Sequence, residues 1–157
     1  MTPMFFGNSN APLFGVLHEA SSEQVRDHGV LLCPPIGQEY VRSHWAMRQV
    51  ALALARVGFA CLRFDWYGVG DSSGELRQAS IARWHSDAAA AAQELRDLSG
   101  VPRISVVGLR LGAAIALSTA GQIKPSRLVL WDPVLDGSAY VGDLHKLHAT
   151  LLSDNKR

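Results

Sequence analysis

Gly108-Leu109-Arg110-Leu111-Gly112 follows a short apolar run, Ile104-Ser105-Val106-Val107, and leads into the alanine-rich stretch Gly112 to Ala120. Between a strand and a helix, the pattern Gly-x-Ser-x-Gly makes a nucleophile elbow. Its glycines allow a sharp turn that lifts the central side chain into a cleft beside backbone N–H donors. Here the turn glycines Gly108 and Gly112 are kept, and Arg110 stands at the central position. A guanidinium stays protonated at physiological pH and has no lone pair to give, so no neighbouring base can activate it as it would a serine or cysteine. The stretch predicts a strand, a tight turn and a helix, with an altered apex.

Outward from this turn, strand-like and helix-like segments alternate. Leu13 to His18, Gly29 to Cys33, Ala60 to Phe64, Ile104 to Gly108 and Leu128 to Trp131 are short, rich in branched or aromatic residues and bounded by turn formers, which predicts five strands. Helices are predicted over Val41 to Val57, Ser80 to Leu98 and Gly112 to Ala120; in the first, Val41, Trp45, Val50, Leu54 and Val57 form the stripe expected to face the core. The alternation predicts an α/β fold, a three-layer sandwich in which a mostly parallel sheet carries helices on both faces. No repeat or long linker interrupts it. A chain of 157 residues, 48% hydrophobic and 18% charged, fits one domain spanning residues 1–157.

The formal charge of +1 gives no global bias toward nucleic acid or an anionic membrane surface, and neither is expected as a partner. No apolar run approaches the ~20 residues that span a bilayer. The opening Met1-Thr2-Pro3-Met4-Phe5-Phe6 lacks the basic region of a signal peptide, so a cytoplasmic location is expected. Cys33 and Cys61 lie inside apolar runs and are expected as free, buried thiols. Gly68, Gly70 and Gly74 miss the dinucleotide spacing Gly-x-Gly-x-x-Gly by one residue. His145 and His148 share a helical face without a third ligand in view. No cofactor and no metal are expected.

Four pieces of sequence, in order, carry a resemblance. Cys33-Pro34-Pro35-Ile36-Gly37-Gln38-Glu39 follows one strand, Asp65-Trp66-Tyr67-Gly68-Val69-Gly70-Asp71-Ser72-Ser73-Gly74 follows the next, the elbow follows a third, and Leu130-Trp131-Asp132-Pro133 ends a fourth. These are similar to the oxyanion loop, the glycine-rich turn, the nucleophile elbow and the end of the sixth strand in the α/β-hydrolase superfamily, in its serine-aminopeptidase or lysophospholipase-like branch. The resemblance runs from about Leu13 to Gly142. A looser one, to bacterial hydrolase-like proteins of which some are associated with exosortase and polysaccharide loci, rests on the shared Gly-Leu-Arg-Leu-Gly and implies that the arginine is a subgroup trait.

The family places its acid after the seventh strand and its histidine after the eighth, whereas this sequence runs to Arg157, soon after the sixth. The resemblance therefore implies a core truncated after the sixth strand, without the lid. None of His18, His28, His44, His85, His145 and His148 follows a final strand. Asp132 ends the sixth strand, where some members carry an alternative acid, but an acid without nucleophile and base completes no triad.

Two readings of Arg110 stay open. It could fill the former site and pair with Asp132 or Glu39. Alternatively, a guanidinium at the positive end of a helix calls for an anion to offset it. The N–H groups of Leu111, Ile36 and Gly37 would converge on such an anion with the guanidinium. Glu39, Trp66 and Tyr67 are expected to line the cleft. Trp45, Trp84 and Trp131 are expected in the core or cleft, and Asp71 and Ser72 are expected to cap the glycine-rich turn.

Three functions follow. One is a non-catalytic binder of a small anionic or acyl ligand. The second is an active hydrolase of ester, thioester or amide bonds, with Arg110 and the N–H groups of Ile36 and Leu111 stabilising an oxyanion. The third is an interaction module, in which the apolar edge Leu128 to Trp131 pairs with a second copy to give a homodimer.

Overall fold

The computed structural model, which describes residues 1–21 and 25–154, builds one six-stranded sheet in the order β1-β2-β4-β3-β5-β6. Its strands are β1 (Thr2–Phe6), β2 (Leu13–His18), β3 (His28–Cys33), β4 (Ala60–Phe64), β5 (Arg103–Leu109) and β6 (Arg127–Trp131). Strand β2 is antiparallel to both its neighbours, β1 and β4, while β4, β3, β5 and β6 run parallel. Each parallel step needs a crossover, and the helices α1 (Gly37–Arg56), α2 (Ile81–Ser99), α3 (Leu111–Ser118) and α4 (Ala120–Ile123) supply them. A fifth helix, α5 (Gly137–Asp154), follows β6.

The predicted α/β architecture, with helices on both faces, is the one observed. Alternate residues of the central strands feed two cores. Val30 and Leu32 of β3 and Cys61 of β4 pack with Met47 and Ala51 of α1 on one face. Leu31 and Cys33, with Leu62, Ile104 and Val106, pack against Ala88, Ala91, Leu95 and Ile115 of α2 and α3 on the other. Because β3 is covered on both sides, five of its six residues are buried, as expected of a central parallel strand.

Several expectations need correction. Strand β1 was not expected from Met1 to Phe6, because the run is short and holds Pro3. It forms at the sheet edge, where a missing N–H is tolerated. Helix α5 was not among the predicted helices either, although His145 and His148 within it were read at helical spacing. Helix α1 begins at Gly37 rather than Val41, and its buried positions are Met47, Ala51 and Ala55. Val41, Trp45 and Val57 of the proposed stripe are exposed, at 67%, 68% and 52%. At 100° per residue, Val41 and Trp45 lie roughly a quarter turn or more from the buried row. Small side chains let the helix lie close to the sheet, and the larger ones are left outside. Trp66 and Trp84 are buried, while Trp45 and Trp131 are exposed. The third predicted helix is broken at Thr119 into α3 and α4.

Ser72 does anchor the glycine-rich turn, accepting from Phe14 N–H and donating to the Asp65 carbonyl. Asp71 contributes its backbone N–H to the Asp65 carboxylate. None of the helices among the described residues is long and apolar enough to cross a membrane.

Candidate functional site

Strand β5 ends at Leu109 and α3 begins at Leu111, so the whole reversal falls on Arg110, with φ 54 and ψ −121. A non-glycine residue in this region carries strain of about 1–3 kcal/mol and persists only where its surroundings hold it. Here Arg110 N–H donates to the Trp131 carbonyl at 3.0 Å, and the Arg110 carbonyl accepts from Ala113 N–H at 3.1 Å. The flanking glycines are needed for space. A Cβ on Gly108 would lie 2.4 Å from Ala113 Cα, and one on Gly112 would lie 2.3 Å from the Pro34 carbonyl oxygen. These obstacles are backbone atoms that cannot turn aside. The elbow geometry is thus present, with arginine at its apex.

The contact between Gly112 and Pro34 also brings the loop before α1 against the start of α3. Trp66 fixes that loop from beneath, its indole N–H donating to the Pro34 carbonyl at 2.8 Å. Ile36 is the N-terminal flanking residue of α1, in extended conformation and without a side-chain cap, and Gly37 has φ +59. The first-turn N–H groups of a helix have no acceptor within it. The starts of α1 and α3 therefore place the N–H groups expected at Ile36, Gly37 and Leu111 at neighbouring helix ends.

The Arg110 side chain is held by both carboxylates named from the sequence. Its Nε donates to Glu39 Oε1 at 2.8 Å, and its Nη1 lies 3.2 Å from both the Asp132 carbonyl and Asp132 Oδ2. Tyr140 of α5 donates its hydroxyl to Glu39 Oε2 at 2.9 Å, and the guanidinium sits 5.7 Å above the Tyr140 ring. The bond to Glu39 raises Arg110 above the ordinary guanidinium value. Burial pushes the Tyr140 phenol up, and its bond to the Glu39 carboxylate pushes it further. Glu39 lies in the first turn of α1, where a helix favours negative charge. Arg110, at the unfavourable end of α3, is offset by these two carboxylates.

Arg110, Leu111, Asp132 and Glu39 thus come together, with Ile36 and Gly37 across the loop. Trp66 and Tyr67 do not join them. Trp66 is fully buried, packed edge-on to Phe64 at 4.6 Å. The Tyr67 ring lies under the Arg83 guanidinium, 4.2 Å away, and its N–H donates to the buried Asp87 carboxylate. Both support the site from outside it. Beside Ile36 and Gly37 opens a largely apolar groove of about 440 Å³, lined also by Val41, Leu76, Leu144 and Leu147.

Other groups that could attack a carbonyl are placed unsuitably. Burial drives the Cys61 thiol up to about 12 and Cys33 higher still, so both stay protonated. Ser43 donates to the Glu39 carbonyl within its own helix. Two serine–histidine contacts occur, Ser118 to His85 at 2.7 Å and Ser105 to His28 at 2.8 Å. Ser118 is just over two turns along α3 from the apex, about 12 Å at helical rise. Ser105 lies five residues back along β5, about 16 Å.

Sequence reasoning missed Tyr140, which comes from a helix that was not predicted. It also missed the buried pair beneath the glycine-rich turn, in which Tyr40 donates to Asp65 Oδ1 at 2.7 Å. Asp65 was quoted within the turn motif, and its place at the end of a buried strand was the available signal.

The chain matches the family model of the S33 serine aminopeptidases over residues 39–156. It is 37% identical over 99 residues to an uncharacterized protein of Mycobacterium tuberculosis, covering 62% of this chain and 34% of that one. It is 36% identical over 73 residues to the human mitochondrial palmitoyl-protein thioesterase ABHD10, covering 46% and 22%. The chain thus spans about a third or less of the length of these relatives. Among solved structures, it superposes on XC6422 of Xanthomonas campestris, a serine hydrolase without lid, with a TM-score of 0.69 at 20% identity, covering 79% of this chain and 57% of that one. On the Pyrococcus furiosus esterase Pf2001 the TM-score is 0.65 at 23% identity, covering 84% and 49%. With the elbow, the strand order and the family match in agreement, this chain belongs to the S33 serine aminopeptidase family of α/β hydrolases.

Proposed function

We propose that this chain binds the acyl part of a small ester, thioester or amide at the altered elbow and does not cleave it. The observation that carries the reading is Arg110 at the strained apex, tied to Glu39 and Asp132. A guanidinium cannot be acylated in the way serine is, yet it can polarise a carbonyl oxygen together with the N–H groups of Leu111 and Ile36. Of the two ligand types expected from sequence, the acyl one fits the charges better. With Arg110 between two carboxylates, the cluster carries one net negative charge, so a free anion must compete with Asp132 or Glu39. A neutral carbonyl meets no such opposition, and the groove beside Ile36 offers apolar walls to its chain. The likeness to a palmitoyl-protein thioesterase supports an acyl ligand.

The test compares wild type with Arg110→Ala and Arg110→Ser. Each is assayed for turnover of short- and long-chain p-nitrophenyl esters and thioesters, and for binding of a non-hydrolysable acyl amide by calorimetry. Saturable binding without turnover, weakened about tenfold in Arg110→Ala by loss of one charge-assisted bond, is the expected result. Turnover by wild type that is lost in Arg110→Ala would establish the hydrolase reading instead.

A second reading has its own support. Among the described residues β6 pairs only with β5, and Val129 and Trp131 on it are 50% and 46% exposed. Exposed apolar edges are ordinarily covered, so a homodimer across β6 is the assembly to test. Sedimentation should show a dimer that Val129→Lys converts to monomer; a monomer at high concentration in wild type would exclude it.

A further inference from the structure

The parallel strands β4, β3, β5 and β6 all start at the end of the sheet opposite the elbow, and three of the four, β3, β5 and β6, start with histidine or arginine. In the register, His28 faces Arg103 and Ser105 faces Arg127. Side chains two apart on a strand share a face, so Arg103 and Ser105 lie on one side, and partners across a ladder lie on that side too. His28, Arg103, Ser105 and Arg127 therefore occupy one face, the one that α1 covers further along, through Val30, Leu32 and Val107. The His28 Nε2 to Ser105 Oγ contact of 2.8 Å agrees with this placement.

Helix α1 has ended by this point, and the uncovered part of the face forms a groove of about 560 Å³. Arg26 also lines it, donating from Nε to the Val57 carbonyl and lying 4.9 Å above the Phe59 ring. Among the described residues that line the groove, one is a carboxylate. Asp27 takes the Arg103 Nη2 at 2.8 and 3.0 Å, and both side chains are more than half exposed. Arg127 forms no ion pair among the described residues. Three guanidiniums against one carboxylate leave two positive charges around a polar groove, although the whole chain carries only +1. His28 feels them: burial first, then Arg103 and Arg127, lower its pKa, while Asp27 acts in the opposite sense.

We propose that this groove is a binding site for a small phosphate dianion, either inorganic phosphate or the phosphate of a phosphomonoester, held by Arg103 and Arg127 with Arg26 and Ser126 beside it. Arginine forks match phosphate oxygens two at a time, and Arg127 has donors to give without breaking an existing pair. The Phe59 ring and the width of the groove leave room for the organic part of an ester. The site is independent of the elbow and of the acyl reading made there.

The test titrates the full chain with inorganic phosphate, with phenyl phosphate and with chloride at matched ionic strength. It follows the His28 ring resonances by NMR at low salt, where exposed charges act most strongly. Saturable shifts with phosphate but not with chloride are expected, together with a rise in the His28 pKa, because a bound dianion offsets Arg103 and Arg127. Tighter binding of phenyl phosphate would identify an ester as the fitting ligand, and equal binding would identify free phosphate. Arg127→Gln should weaken binding about tenfold through loss of one charge-assisted contact, and Arg127→Glu should abolish it. Arg127 is exposed at the start of an edge strand, and circular dichroism checks that both variants fold; Arg103→Gln serves as the second variant. Linear shifts that chloride reproduces, or binding that neither arginine variant weakens, would overturn the proposal.

Discussion

Replacing Arg110 by glycine is expected to leave the protein more stable than replacing it by alanine, the reverse of the ordinary order. Both variants remove the same contacts to Glu39 and Asp132, so the difference between them isolates the backbone. At φ 54 and ψ −121, alanine must adopt a conformation costing about 1–3 kcal/mol, which glycine adopts freely. The greater freedom of glycine in the unfolded chain takes back about 0.5–1 kcal/mol. The balance favours glycine by about 1 kcal/mol, which for a chain of this length is about 2–4 °C in Tm. Urea unfolding followed by tryptophan fluorescence measures it. Ala53→Gly serves as the control, because Ala53 is exposed on α1 and there glycine should lose about 1 kcal/mol. If Arg110→Ala proves as stable as Arg110→Gly, the apex is not held at positive φ, and the description of residues 108–112 as an elbow fails.

Three further outcomes are expected. In a double-mutant cycle on Glu39→Gln and Tyr140→Phe, the two sites should couple by about 1 kcal/mol, because they share the 2.9 Å bond; additive effects in urea unfolding would show that Tyr140 does not tie α5 to α1. Acid should weaken the fold through His18, which is buried, accepts from Arg63 Nε, and is lowered from 6.5 to about 4 by burial and by Arg63. A lowered folded-state value means that the unfolded chain takes the proton first. The contribution is thus complete above pH 6.5 and declines toward pH 4, by at most about 3 kcal/mol. Unfolding measured across that range should be flatter in His18→Gln, and an unchanged slope would refute the assignment. Finally, Gly112→Ala should cost more than about 3 kcal/mol or prevent folding, since its Cβ meets carbonyl oxygens of Cys33 and Pro34. Gly121→Ala, facing open space on α4, should add about 0.5 kcal/mol, and thermal melts of the pair compare them.

The parts of this molecule legible in its sequence are those whose local chemistry leaves few choices. The central strands β3, β4 and β5 were readable because burial on both faces demands continuous apolar runs such as Val30-Leu31-Leu32-Cys33. The elbow was readable because Gly108 and Gly112 answer a steric demand that no other residue meets. Charge showed that a guanidinium at a helix start needs a negative partner, which left Asp132 or Glu39 and a bound anion both open; the structure supplies the two carboxylates together. Edges were harder. Strand β1 is held by pairing with β2 more than by its own pattern, and the face of α1 was misjudged because Ala51 and Ala55 bury while Trp45 does not. Tyr140 was invisible because its role depends on how α5 returns over α1, and nothing between Gly137 and Gly142 encodes that path locally.

Among the described residues, no imidazole stands beside the apex to serve a serine placed at position 110. A serine there would need a base within about 3 Å. The side chains gathered at the apex are Glu39, Asp132 and Tyr140, while His85 and His28 are engaged with serines one or more strand or helix turns away. Removing the guanidinium would also free two carboxylates that it now neutralises, at the spot where an oxyanion would have to develop. Each would oppose that charge. The arginine is therefore more than a lost nucleophile: Glu39 of α1, Asp132 after β6 and, through Glu39, Tyr140 of α5 are arranged around its positive charge. Asp132 stands where the family resemblance already allows an acid, whereas Glu39 and, through it, Tyr140 are gathered by an ion pair that a neutral side chain at position 110 could not make.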